Sequence, residues 1–214
     1  MRDNLLVIIS GVLVTLFFIY IGNNNFFISS YKDIIECGGW YIKEYAVADG
    51  GTLHNNSLWG LFKFVVYFFY SGGEHLRIIN FMSFYLEIWP LLLISIFLIL
   101  TPFVNLFKHD ENKFSSKFFL ICLLIPLLSP IAPDYRLFFL NVCLIILFTN
   151  KVSGNFSLNF IASILVFILF PKEFLWFALN GAWFTPNGVL NCTAMLILLG
   201  YIVMKSFKLD NPPH

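Results

Sequence analysis

The chain has 214 residues, of which 59% are hydrophobic, 19% aromatic and only 12% charged. A soluble domain carries roughly 25% charged residues, so the composition excludes an ordinary soluble domain and points to an integral membrane protein. Thirteen basic against twelve acidic residues leave a formal charge of +1, which offers no bulk field for a nucleic-acid partner.

Residues 5–21 form an apolar run behind Arg2 and Asp3. The run exceeds a typical signal-peptide core and lacks a small-residue cleavage site, so it is expected as the first span. Residues 23–57 read as an external loop. Within it, residues 31–47 set Ile34, Ile35, Tyr41 and Ile42 among Lys32, Asp33, Glu36, Lys43 and Glu44. That pattern predicts an amphipathic interfacial helix, weakened by Gly38 and Gly39.

Residues 58–70 are apolar but short for a crossing, carry Lys63 near the middle and close on Ser71, Gly72 and Gly73. Residues 78–104 are long enough to cross with tilt, with Glu87 and Pro90 in the first half. Residues 118–131 and 137–149 read as a tight helical hairpin around Ala132, Pro133, Asp134, Tyr135 and Arg136. Residues 158–170 are the next apolar run, followed by an aromatic loop with Trp176, Trp183, Phe184 and Pro186. Residues 189–204 form the last span, ahead of Lys205, Lys208 and a Pro212, Pro213 tail.

The positive-inside rule decides how residues 58–70 are expected to lie. If they cross, the Lys108, Lys113 and Lys117 loop falls opposite Arg2. If they are re-entrant or interfacial, Arg2, Lys108, Lys113, Lys117, Lys151, Lys205 and Lys208 all share the cytoplasmic side. The second arrangement predicts an all-α, polytopic membrane bundle of about six transmembrane helices plus a re-entrant or interfacial helix. Both termini are then cytoplasmic, and the bacterial inner (plasma) membrane is the expected location. The external side collects the long loops, the aromatic residues and Lys32, Lys43, Lys63, Arg77, Arg136 and Lys172.

Candidate site residues therefore concentrate outside. Asp134, Tyr135 and Arg136 supply a carboxylate and a guanidinium at a hairpin mouth, and arginine suits phosphate geometry; the same residues also make a charged interfacial turn. His54, Asn55, Asn56 and Ser57 lead into Leu58, Trp59 and Gly60, with Ser57 suited to cap a helix. Asn55–Ser57, Asn155–Ser157 and Asn191–Thr193 are also formal glycosylation triplets. Lys63 and Glu87 are ionisable groups at membrane depth, which is a functional signal, although Lys63 has the reach to snorkel and Glu87 to pair with Lys63, Arg77 or Arg136. Glu74, His75 and Arg77 suit a head group or a solvated loop. Cys37, Cys122, Cys143 and Cys192 form no ligand cluster and read as small apolar fillers. The sequence contains no Gly-rich phosphate loop, HExxH or GxSxG pattern, so neither cofactor nor metal is expected.

The block from Tyr31 through Tyr41, Tyr45 and Gly51 to Asn56, Ser57, Leu58, Trp59, Gly60 and Lys63 resembles an external segment of polytopic GT-C glycosyltransferases. Ser129, Pro130, Pro133, Asp134, Tyr135, Arg136 and Leu137 resemble a second block of the same group, in the same order. The nearest resemblance is to glycosyltransferase family 87, the polyprenol-phosphate-mannose-dependent mannosyltransferase-like proteins, over roughly residues 31–148. This resemblance implies a polyprenyl-phosphate sugar donor and transfer on the non-cytoplasmic face. It implies Asn56 and Ser57 in the site, with Asp134, Tyr135 and Arg136 at its rim and Lys63 and Arg77 as further phosphate-side groups. GT-C enzymes have more spans and carry their catalytic carboxylate in the first external loop. No base is assigned here, and the chain is expected to be the C-terminal portion of a longer enzyme or one half of a split gene. The alternative is a non-catalytic membrane subunit or lipid-binding scaffold whose partner chain supplies N-terminal spans. A small transporter ranks behind both, because the spans offer few polar groups beyond Glu87, Asn141 and Asn159.

Overall fold

A computed structural model of the protein describes residues 36, 46–47, 55–108, 114–130, 132, 137–154, 156–170 and 177–207. Contacts divide the chain into two units, Met1–Lys43 and Glu44–His214, and every element below belongs to the second. The expected first span at 5–21, almost all of the 31–47 amphipathic segment, and Asp134, Tyr135 and Arg136 lie outside the described residues.

The described chain is mainly α-helical, as its composition predicts. Helix α1, Leu58–Phe69, starts where Ser57 takes an extended backbone and its Oγ accepts the Gly60 N–H at 3.2 Å. It ends at Tyr70, and Gly72 and Gly73, with φ of 65° and 86°, swing the chain into α2, Glu74–Met82. Helix α3, Tyr85–Leu100, follows at a 48° bend. The sequence predicts one uninterrupted span here. The break arises because the backbone N–H and the Oγ of Ser83 both turn back to the Asn80 carbonyl, at 3.2 and 2.6 Å, replacing the α-helical ladder with a tight turn.

Helices α4, Phe114–Leu128, and α5, Phe138–Thr149, make the antiparallel pair expected from the apolar runs, and α6, Leu158–Leu169, is capped by Ser157 Oγ on the Phe160 N–H. The segment expected as an aromatic loop contains a β-hairpin instead: β1, Phe177–Leu179, pairs with β2, Ala182–Phe184, with Leu179 opposite Ala182. Asn180 and Gly181 both have positive φ, 48° and 91°, the requirement of a two-residue type I′ turn that Asn-Gly satisfies at low cost. Helix α7, Pro186–Phe207, then starts with proline at its first position, where no N–H is needed.

Helices α3 to α7 pack each against the next, and α4 also packs against α7. The core is apolar and continuous, with Leu123 and Leu127 of α4, Leu140 and Leu147 of α5, Ile161 and Leu165 of α6, and Met195 and Leu198 of α7 all buried. Cys122, Cys143 and Cys192 are free thiols within it, and Cys37 lies outside the described residues. Of the described helices, α7 alone is long and apolar enough to cross a membrane, and α2 with α3 qualifies as a bent pair; α1, α4, α5 and α6 are shorter apolar helices.

One end of the bundle is stitched by its connecting loops. Lys108 donates its N–H to Lys151 at 2.7 Å, Ser153 to Leu106 at 2.9 Å, and Phe107 bridges Val152. Tyr201 of α7 accepts the Ser157 N–H there at 2.8 Å, and Lys205 lies over the Tyr201 ring. Lys108, Lys151 and Lys205 thus share one end. The starts of α1, α5 and α7 and the finish of α4 occupy the other.

Candidate functional site

The end opposite the lysines holds a buried polar junction of three chain segments. Asn55 organises it. Its Oδ1 accepts from the Ala132 N–H at 3.0 Å, the Ser57 N–H at 3.2 Å and the Ser57 Oγ at 2.7 Å, while its Nδ2 donates to the Pro130 carbonyl at 2.9 Å. Asn56 joins the same strap: its N–H and its Nδ2 both donate to the Ala132 carbonyl, at 2.9 and 3.0 Å. Its Oδ1 accepts from Nδ2 of Asn191 on α7 at 2.9 Å. Asn55, Asn56, Ser57 and Asn191 are all buried, so each of these bonds removes a desolvation penalty that an unpaired amide would carry.

Two glycines allow the segments to meet. A Cβ on Gly60 would collide with the backbone carbonyl oxygen and side chain of Asn55, and one on Gly188 would stand 3.0 Å from the same oxygen. The Asn55 carbonyl is therefore wedged between α1 and α7, leaving no room for a side chain at Gly60 and little at Gly188.

Lys63 lies on α1 beyond the cap and is 0% exposed, so its ammonium does not snorkel to the surface. Trp59 is anchored by its indole N–H on the Ala46 carbonyl at 2.6 Å and stacks at 5.4 Å on Tyr85, whose hydroxyl donates to the Leu128 carbonyl at 2.6 Å. Trp59 and Tyr85 flank an apolar cavity of about 370 Å³ that runs along α1 between Leu58 and Val65.

The far end of α1 is held by the β-hairpin. Nδ2 of Asn180 donates to the Tyr67 and Tyr70 carbonyls at 2.5 and 2.7 Å, satisfying acceptors that the last helical turn leaves open. Phe184 packs edge-on against Phe64 and Tyr67. His75 of α2 sits on the Tyr67 ring at 4.3 Å, and its buried Nδ1 has no hydrogen-bond partner among the described residues. At the start of α7, the buried Asn187 has an Oδ1 in the same condition.

Of the sequence-predicted site residues, Asn56 and Ser57 stand in the junction, and Lys63 is buried on the helix it starts. Arg77 is not brought there: it is exposed on α2 and lines a separate open cavity of about 530 Å³ with Tyr70, Glu74, Ile78 and Phe81. Glu87 is exposed in the first turn of α3. The glycosylation triplets at Asn55 and Asn191 are unusable in the folded chain, because both side chains are buried and bonded. Sequence reading missed Asn55 as the centre of the junction, and it missed Asn191, Gly188 and Asn180; the Asn-Gly pair was the available signal for the last. Compared with known proteins, the chain matches no family model, no curated protein and no solved structure.

Proposed function

We propose that the protein is a multi-pass membrane glycosyltransferase of GT-C type that takes its sugar from a polyprenyl-phosphate donor on the non-cytoplasmic face. The observation that carries this reading is the direct hydrogen bonding of its two resemblance-bearing blocks: Asn55 and Asn56 are strapped to Pro130 and Ala132, more than seventy positions on. Asp134 and Arg136 follow Ala132 in sequence by two and four residues, and Lys63 brings a buried cation to the adjoining helix. In such an enzyme an external carboxylate deprotonates the acceptor hydroxyl while cations stabilise the departing lipid phosphate. Lys63 and Arg136 take the phosphate side. Among the described residues no carboxylate belongs to the junction, and no base is assigned.

The proposed topology draws on the same geometry. A helix of twelve residues such as α1 is about 18 Å long, short of a bilayer core of about 30 Å. Its start is bonded into the junction and its finish to the β-hairpin that leads directly into the start of α7, which favours a non-crossing α1. Lys108, Lys151 and Lys205 at the opposite end fit a cytoplasmic side with both termini there. Broad apolar exposure, including Leu91, Ile94 and Leu98 of α3 and Phe138, Ile145 and Phe148 of α5, exceeds what a soluble monomer carries and suits lipid contact.

The test is binding of polyprenyl-phosphate mannose to the protein in lipid nanodiscs. Lys63→Met and Arg136→Ala should each weaken it about tenfold or more, the scale of one charge-assisted hydrogen bond. Equal affinity in wild type and both variants defeats the reading. A second reading, a non-catalytic subunit of another polytopic protein, draws on α3, which has no buried residue along its sixteen positions. Copurification of a polytopic partner that is lost on α3 substitution, with no lipid-sugar binding by the isolated chain, supports that alternative.

A further inference from the structure

Helix α2 has two unlike sides. His75 and Ile79 are buried, with His75 on the Tyr67 ring. Glu74, Arg77, Ile78 and Phe81 follow the i, i+3, i+4, i+7 pattern of a single helix face, and with Tyr70 they line the open cavity of about 530 Å³. Glu74 and Arg77 are close enough in sequence to pair across one turn. Among the described residues, however, neither charged group has an ion-pair or hydrogen-bond partner. The cavity therefore presents an anion and a cation side by side, with two aromatic rings and an isoleucine around them.

Phe81 is 78% exposed, more than any other large apolar side chain among the described residues, so it calls for an apolar surrounding. On the topology proposed above α3 enters the bilayer, and the 48° bend ahead of it turns α2 toward the membrane surface. A ligand fitting this wall brings a cation to Glu74, an anion to Arg77 within one helical turn, and hydrocarbon to Phe81. Free phosphate supplies only the anion. Phosphatidylglycerol leaves Glu74 facing another negative charge, and the quaternary nitrogen of a choline lipid has no N–H to give a carboxylate. An ethanolamine phospholipid supplies all of it: its phosphate matches the guanidinium fork, its primary ammonium donates to the carboxylate, and its acyl chains begin beside them.

We propose that Glu74 and Arg77 form a head-group site for an ethanolamine phospholipid of the surrounding bilayer, with Phe81 among its acyl chains. The site takes only the membrane topology from the transferase reading. Donor binding plays no part in it.

The experiment measures binding of dioleoyl phosphatidylethanolamine, phosphatidylcholine and phosphatidylglycerol to the full-length chain in detergent by native mass spectrometry, for wild type, Glu74→Ala and Arg77→Ala. Wild type should bind the ethanolamine lipid about tenfold tighter than the other two, the scale of one charge-assisted hydrogen bond. Glu74→Ala should erase the preference over the choline lipid, and Arg77→Ala should weaken ethanolamine and choline lipids alike. Because both side chains are exposed, each variant should melt within about 2 °C of wild type in lipid-free detergent. Equal or absent binding of the three lipids by wild type, a preference that survives Glu74→Ala, or unchanged ethanolamine-lipid affinity in Arg77→Ala overturns the site. So does a lower melting temperature of either variant without lipid, since it would reveal a partner within the chain. A protein that keeps this selectivity but does not bind polyprenyl-phosphate mannose loses the transferase reading and retains the lipid site.

Discussion

The two ends of the helical bundle are built from different interactions. At one, loops are joined mainly through their backbones: Lys108 to Lys151, Ser153 to Leu106, and the Phe107 to Val152 bridge. The lysines carry no described hydrogen bond through their ammonium groups. At the other, asparagine side chains make the connections, and Asn55 alone binds Ser57, Pro130 and Ala132. Backbone stitching accepts many sequences, whereas a buried amide junction accepts few, because each removed atom strands a partner. On the function proposed above, the chemistry that needs fixed geometry is assigned to the second end.

That contrast can be broken at Gly60. Gly60→Ala forces a methyl group into the Asn55 carbonyl and should cost about 3 kcal/mol or more, read as a large fall in the denaturant midpoint of the solubilised protein; a change under about 0.5 kcal/mol, the size of a neutral surface substitution, would refute the tight junction. Asn55→Ala comes next. It leaves the Ala132 N–H and Pro130 carbonyl buried without their partner and should cost about 2–3 kcal/mol, measured the same way.

Gly188→Ala meets the same oxygen at 3.0 Å, where a shift of a few tenths of an ångström relieves the contact, so about 1 kcal/mol is expected. Asn180→Gly sharpens the comparison at the hairpin. Glycine keeps the positive φ of the turn but loses both bonds to α1, so about 1 kcal/mol of stability should vanish, with faster hydrogen exchange confined to the end of α1. The smallest expected effect is at the lysine end. Lys108→Glu with Lys151→Glu should change stability by less than about 0.5 kcal/mol and, on the topology proposed above, weaken the orientation of the chain in the membrane, as read by reporters fused to its termini.

Much of the helical pattern was legible because a helix boundary depends on neighbours in sequence. Ser57 was recognisable as a cap, and the apolar runs at 118–131, 137–149 and 158–170 correspond to α4, α5 and α6. The bend after Met82 escaped notice because Ser83 is an ordinary residue inside an apolar run, and only its bonds to the Asn80 carbonyl end the helix. The hairpin was hidden by aromatic residues that dominate the segment, although Asn180-Gly181 carried the turn.

The junction divides differently. Asn55, Asn56 and Ser57 stood out by their place before an apolar run, but nothing local marked Asn55 as the centre of the junction, because its Pro130 and Ala132 partners lie 75 and 77 positions away. Asn191 and Gly188 looked like incidental polar and small positions near the start of a span. By itself the sequence determined an apolar, helical chain and the starts of several helices, because hydrophobic periodicity, capping and composition act over a few residues. Only the tertiary structure decided that Asn55 bridges two segments, that Lys63 is buried while Arg77 faces outward, and that the Asn187 Oδ1 is buried without a hydrogen-bond partner among the described residues. Those properties depend on which distant groups share a desolvated space, and chain order does not encode that directly.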